Sequence, residues 1–252
     1  MLQDRVPPCN LLYPTFTQVP LQSSSGIIQL VCGNDYSLAL SAGGNVYSTG
    51  RGVFGIHGTG TDDLSNRFLF APIGTDEGPN GGFFKQRQIR YLSAGENHCG
   101  AVDANGVAYM WGLNSSGQCG ITRGGRAKPS QIISPPQPTG LQMLVEKPGV
   151  NFSGGHQTPM EMKRVKTLLL ECGGSHTLFL SQDNDIFACG ANDKGQLGMA
   201  TGDFDPQYAP RRIETFVEKT VTMIKAGSRH SAALTVEGYC YTWGSNDRGQ
   251  LG

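Results

Sequence analysis

GSRHSAALTVEGYCYTWGSNDRGQLG, residues 227–252, decides the fold of this chain. It holds a short apolar run (His230–Leu234), a turn (Val236-Glu237-Gly238), an aromatic run ending in Trp243-Gly244, and a polar loop closed by Gly249-Gln250-Leu251-Gly252. The same unit stands three more times upstream.

Each unit begins at a glycine: Gly33, Gly95, Gly173 and Gly227. Three positions on is His98, His176 or His230, with Tyr36 in the first unit, and at the seventh an apolar residue, Leu40, Val102, Leu180 or Leu234. The eleventh carries a turn residue (Gly44, Gly106, Asn184, Gly238), the seventeenth a glycine (Gly50, Gly112, Gly190, Gly244), and so does the twenty-fifth (Gly58, Gly120, Gly198, Gly252). Starts lie 62, 78 and 54 residues apart. That exceeds leucine-rich, ankyrin, tetratricopeptide and WD periods, and holds about four short strands, one propeller blade. Asn105-Gly106 and Glu237-Gly238 read as hairpin turns, and Asn184 tolerates the left-handed backbone that glycine adopts elsewhere. Ala209-Pro210-Arg211-Arg212-Ile213 reads as a proline-marked outer strand and Val221–Ala226 as the next inner strand; Tyr13–Phe16 followed by Ile27–Cys32 repeats that layout. The first unit is the most divergent, with Thr49-Gly50 for Trp-Gly and RGVFGIHG for the closing loop, as a terminal repeat allows.

Bulk chemistry agrees. Thirty-six glycines in 252 residues is about twice average usage and fits many tight turns. Twenty basic residues balance twenty acidic ones, so a nucleic-acid partner is not the default reading. The N-terminus is broken by Pro7, Pro8 and Pro14, and no long apolar run suggests a signal peptide or membrane span. The expectation is a soluble protein of the cytoplasm, with the nucleus as a second compartment. Seven cysteines show neither C-x-x-C nor zinc spacing and read as reduced packing residues, Cys32 and Cys172 for alanine, Cys189 for tryptophan and Cys119 for leucine.

The pattern Gly-x-x-His, apolar, turn glycine, aromatic-Trp-Gly-x-Asn-x-x-Gly-Gln-Leu-Gly resembles the regulator-of-chromosome-condensation repeat family, over about Tyr13–Gly252. The resemblance implies an all-β fold, a β-propeller of seven blades in the family. Four repeats cannot fill that fold; the expectation is an incomplete version, a fragment or an open arc with association-prone edges, with an unusually tight four-blade closure as the alternative. The expected organisation is one domain, 1–252, with repeats at about 13–58, 59–120, 121–198 and 199–252 and a surface insertion within 121–165.

The histidines occupy one repeat slot and so belong to different blades. They read as structural, tying strand to loop, rather than as a metal site or a base. His57 and His156 lie outside the slot without evident partners. No P-loop, nucleophile elbow or H-E-x-x-H is present, so no enzyme chemistry, cofactor or metal is expected. What remains are loops. Arg123, Arg126, Lys128, Lys147, Lys163, Arg164 and Lys166 outnumber Glu146, Glu161 and Glu171 across 113–172, which reads either as an ordinary solvated loop or as a partner-binding arm. Asp193, Lys194, Asp247 and Arg248 sit at loop tips that vary on a fixed frame. The candidate partner-binding set is Arg123, Arg126, Lys128, Asp193, Lys194, Asp247 and Arg248.

Two functions follow: a non-catalytic protein-interaction scaffold, or, as the resemblance implies, a guanine-nucleotide exchange factor for a Ran-type small GTPase with the insertion as its wedge. The expected partner is another protein, with self-association through open edges and no membrane. Ultraviolet sensing, known in one branch of the family, is disfavoured by only two tryptophans, Trp111 and Trp243.

Overall fold

The computed structural model describes residues 25–59, 64–73, 84, 87–121, 132–139, 142–146, 160–199 and 202–252. The first sheet has β1 (Ile27–Cys32), β2 (Tyr36–Ser41), β3 (Val46–Gly50) and β4 (Arg67–Pro72), in that order. The second has β5 (Ile89–Ala94), β6 (His98–Asp103), β7 (Ala108–Leu113) and β8 (Ile132–Pro138). A two-stranded sheet follows, β9 (Gln142–Glu146) against β10 (Met160–Arg164). The next sheet has β11 (Thr167–Cys172), β12 (His176–Ser181), β13 (Ile186–Gly190) and β14 (Gln207–Arg212). The last has three described strands, β15 (Val221–Ala226), β16 (His230–Thr235) and β17 (Cys240–Gly244). All pairings are antiparallel, which makes each meander a propeller-type blade.

Antiparallel order fixes two ends for each blade. The unit-starting glycine and the long loop after the third strand share one end, here the loop face. The hairpin turns and the links to the next blade share the other, the turn face. Each outer strand is bulged against its neighbour, with Gly50↔Arg67 and Ser48↔Ala71 bracketing Phe68–Phe70, and Gly190↔Gln207 and Ala188↔Arg211 bracketing Tyr208–Pro210.

Period-two alternation buries both faces of the middle strands, so the core lies between blades. Leu38 and Leu40 meet Leu92, Ala101 and Trp111; Met110 and Val102 meet Phe179 and Phe187; Leu178 and Ile186 meet Ile224 and Ala233. The two terminal blades differ from the others. Leu30 is 64% exposed, whereas its counterparts Leu92, Leu170 and Ile224 are at most 1% exposed. Leu234 is only half-buried where Leu40, Val102 and Leu180 are buried.

Three expectations change. The 113–172 segment is not one arm: β8 divides it into a stretch that leaves β7 at the loop face and a stretch that holds β9 and β10 and enters β11 at the turn face. Glu171, counted with that arm, is a buried residue of β11 that accepts from Tyr91 Oη at 2.7 Å and Lys225 Nζ at 2.5 Å, joining three blades. Cys32 is exposed rather than packed, because no sheet lies over that face of β1 among the described residues.

Candidate functional site

The repeated histidine slot is a junction between blades. His98 Nε2 lies 2.9 Å from Thr177 Oγ1, and Thr177 donates its one hydroxyl hydrogen to Gln118 O at 2.7 Å. The hydroxyl oxygen therefore accepts, and His98 is the neutral Nε2–H tautomer. His176 repeats the arrangement one blade on, with Ser231 Oγ at 2.9 Å and Ser231 donating to Gln196 O at 2.8 Å. In the first blade Tyr36 Oη takes the place, 2.8 Å from Gly95 O and 2.9 Å from His98 O. The rings thus tie blade to blade, correcting the strand-to-loop expectation.

The tryptophan slot reaches the same carbonyl position. Trp111 Nε1 donates to Ile56 O at 2.8 Å and Trp243 Nε1 to Gln196 O at 2.9 Å, while the Cys189 thiol, standing for tryptophan, lies 3.5 Å from Gln118 O. His57 also has partners: Ser48 Oγ at 3.0 Å and Gly50 O at 3.2 Å, both within its own blade.

Burial sets the chemistry of these groups. Desolvation lowers His98 to about 3, helped by His176, and lowers His176 to about 4, helped by His230. It raises the thiols of Cys99, Cys119, Cys172 and Cys189 far above their ordinary range. Near neutral pH the rings are uncharged and the thiols protonated, which suits packing and not nucleophilic attack. Among the described residues no three His, Cys, Asp or Glu side chains gather where they could hold a metal ion.

The loop face offers what the core does not. Asn114, Asn192 and Asn246 accept through Oδ1 from the amides of Cys119, Leu197 and Leu251 at 2.8–3.1 Å. Gln118, Gln196 and Gln250 accept through Oε1 from the amides of Ser116, Lys194 and Arg248 at 2.8–2.9 Å. This Asn–Gln frame holds each loop rigid while leaving its tip to solvent. Asp193, Lys194, Asp247 and Arg248 are those tips, and two of them meet: Lys194 pairs with Asp247 at 3.7 Å, while Asp193 pairs with Arg229. The Gln196 amide and Arg229 hold the Asp193 carboxyl below its usual range. Arg123, Arg126 and Lys128 lie outside the described residues, as does His156.

Sequence reasoning missed a further group here. Glu96 and Ser228 follow the starting glycines of the second and fourth units, and Ser228 Oγ donates to Glu96 Oε1 at 2.6 Å. They meet over Gly174 of the third, where a Cβ would stand 2.5 Å from Ser228 O and 3.0 Å from Glu96 Oε1. The available signal was Gly174 itself, at a position filled elsewhere by Asn34, Glu96 and Ser228.

Comparison with known proteins places matches along the chain. Models described as the regulator of chromosome condensation (RCC1) repeat match residues 183–234, and, for a second such model, 27–56 and 221–250. The human X-linked retinitis pigmentosa GTPase regulator is 30% identical over 247 residues, covering 88% of this chain and 23% of that protein. The guanine nucleotide exchange factor SRM1 of Saccharomyces cerevisiae is 26% identical, with 93% of this chain and 44% of that protein covered. Yeast RCC1 (Prp20), in its crystal structure bound to Kap60, superposes with a TM-score of 0.68 at 26% identity, over 90% of this chain and 46% of that one. The chain thus spans less than half the length of these relatives.

Proposed function

From a chain built of repeats of the regulator-of-chromosome-condensation family, we propose a non-catalytic scaffold that binds another protein through the loop face of its blades. One contrast carries the reading. The ring–hydroxyl–carbonyl junction recurs between the second and third and the third and fourth blades, whereas the tips on the Asn–Gln frame carry different residues in each blade. A frame held by its own hydrogen bonds binds with a smaller ordering cost at the moment of contact.

Guanine-nucleotide exchange on a Ran-type small GTPase is the second reading. It is favoured by the names of two relatives, a GTPase regulator and an exchange factor, and by the β9–β10 hairpin on the turn face. A nucleotide-release assay on Ran-type GTPases separates the two. Under the scaffold reading the chain leaves the release rate at its intrinsic value. Acceleration would establish exchange, and its loss on removing 140–164, which spares β8, would assign it to the hairpin.

A further inference from the structure

Where the starting glycines of the four described blades meet, the loop face has an open pocket of about 270 Å³, its mouth lined by Gly33, Gly95, Gly173 and Gly227 with Glu96 and Ser228. We propose that this mouth receives one cationic side chain, a lysine or arginine, of a protein partner, with Glu96 as its counter-charge. The proposal rests on the scaffold reading and names the chemistry of its partner.

Three observations support it. Among the described residues, Glu96 is the only charged side chain lining the pocket. The neighbouring loop-face carboxylates are paired with cations, Asp35 with Arg51 at 3.3 Å, Asp193 with Arg229 and Asp247 with Lys194, while Glu96 is exposed and takes one hydrogen bond, from the Ser228 hydroxyl. A carboxylate has about four acceptor positions, so most of its capacity is left for a ligand. The walls are largely glycine backbone because close approach is required there: a Cβ on Gly95 would stand 2.3 Å from Gly173 O, and one on Gly173 2.6 Å from Gly227 O. Such a slot suits a slender aliphatic stem bearing a terminal ammonium or guanidinium. The Ser228 bond fixes the carboxylate before the partner arrives, and glycine at position 174 leaves room for that bond.

The test is an amide-resolved NMR titration of the labelled chain with N-acetyl-arginine methylamide and N-acetyl-lysine methylamide. N-acetyl-glutamine methylamide serves as the neutral control. Saturable shifts at Gly95, Glu96, Gly173, Gly227 and Ser228 are expected with the cationic probes alone. Glu96→Gln should weaken binding by at least about tenfold, the usual scale for a hydrogen bond to a charged group, and Glu96→Asp should retain part of it. Both variants keep the wild-type spectrum away from the mouth if folded. Equal binding by Glu96→Gln, or shifts centred on Asp193 and Asp247 instead, overturns the site. Because the probes are small molecules, that result stands apart from the scaffold reading, which fails only if no protein partner binds the loop face.

Discussion

Gly95→Ala is expected to destabilise the chain by about 3–4 kcal/mol, large for the addition of one methyl group. The new Cβ would stand 2.3 Å from Gly173 O and 2.6 Å from His98 Cε1. Neither can yield cheaply: Gly173 O accepts the Glu96 amide at 3.2 Å, and the His98 ring is fixed by Thr177. Gly26→Ala is the control, since nothing lies within 4 Å of a Cβ there, and it should stay within about 0.5 kcal/mol. Urea unfolding of both variants at pH 7 reads the difference. Equal stability would mean that the blades do not converge at the starting glycines.

The second large effect is acid sensitivity. His98 and His176 titrate near 3 and 4 in the folded chain and near 6.5 when unfolded. Between these limits the unfolded state holds more protons, so stability rises with pH, is fully present above about 6.5, and is lost progressively as pH falls toward 3. Two such residues give a slope of about 2.7 kcal/mol per pH unit around pH 5. Titrating carboxylates add to acid unfolding, so the informative quantity is a difference. His176→Gln carries no titrating ring, and the slope should drop by about 1.4 kcal/mol per unit. An unchanged slope around pH 5 would show that the ring is not buried neutral.

How much of this was legible in the sequence follows from what repetition reports. Period-two alternation and turn residues at fixed offsets placed β2, β3 and their counterparts, and Pro210 marked β14, because these features depend on local backbone preference. Asn184 shows the limit. Its left-handed backbone (φ 69°) was expected, but not that its side chain accepts from the Val221 amide at 2.8 Å and donates to Lys219 O, bonding to the next blade's link. The junction partners were half visible. The position after each histidine slot reads Ser37, Cys99, Thr177 and Ser231, a run of small polar or thiol residues on otherwise apolar strands. Their acceptors, Gln118 O and Gln196 O, are backbone atoms and leave no trace in residue identity. The division of 113–172 by β8 was hidden for a different reason: Ser134-Pro135-Pro136 reads as a loop, whereas a bulged edge strand tolerates proline because its outward amides are not needed for pairing. At the site, the tips Asp193, Lys194, Asp247 and Arg248 were legible as variable positions on a fixed frame. The Glu96–Ser228 contact joins residues 132 apart and depends on how three blades converge.

The central claim is that the repeated ring is a strut between blades and leaves function to the loop tips. A double-mutant cycle on His176 and Ser231 tests it most directly, with His176→Ala, Ser231→Ala and the double variant unfolded in urea at pH 7. The account predicts a coupling of about 1–2 kcal/mol, the scale of a buried hydrogen bond within a connected network. Additive losses, with no coupling beyond about 0.3 kcal/mol, would contradict it and return the histidine slot to the search for a functional role.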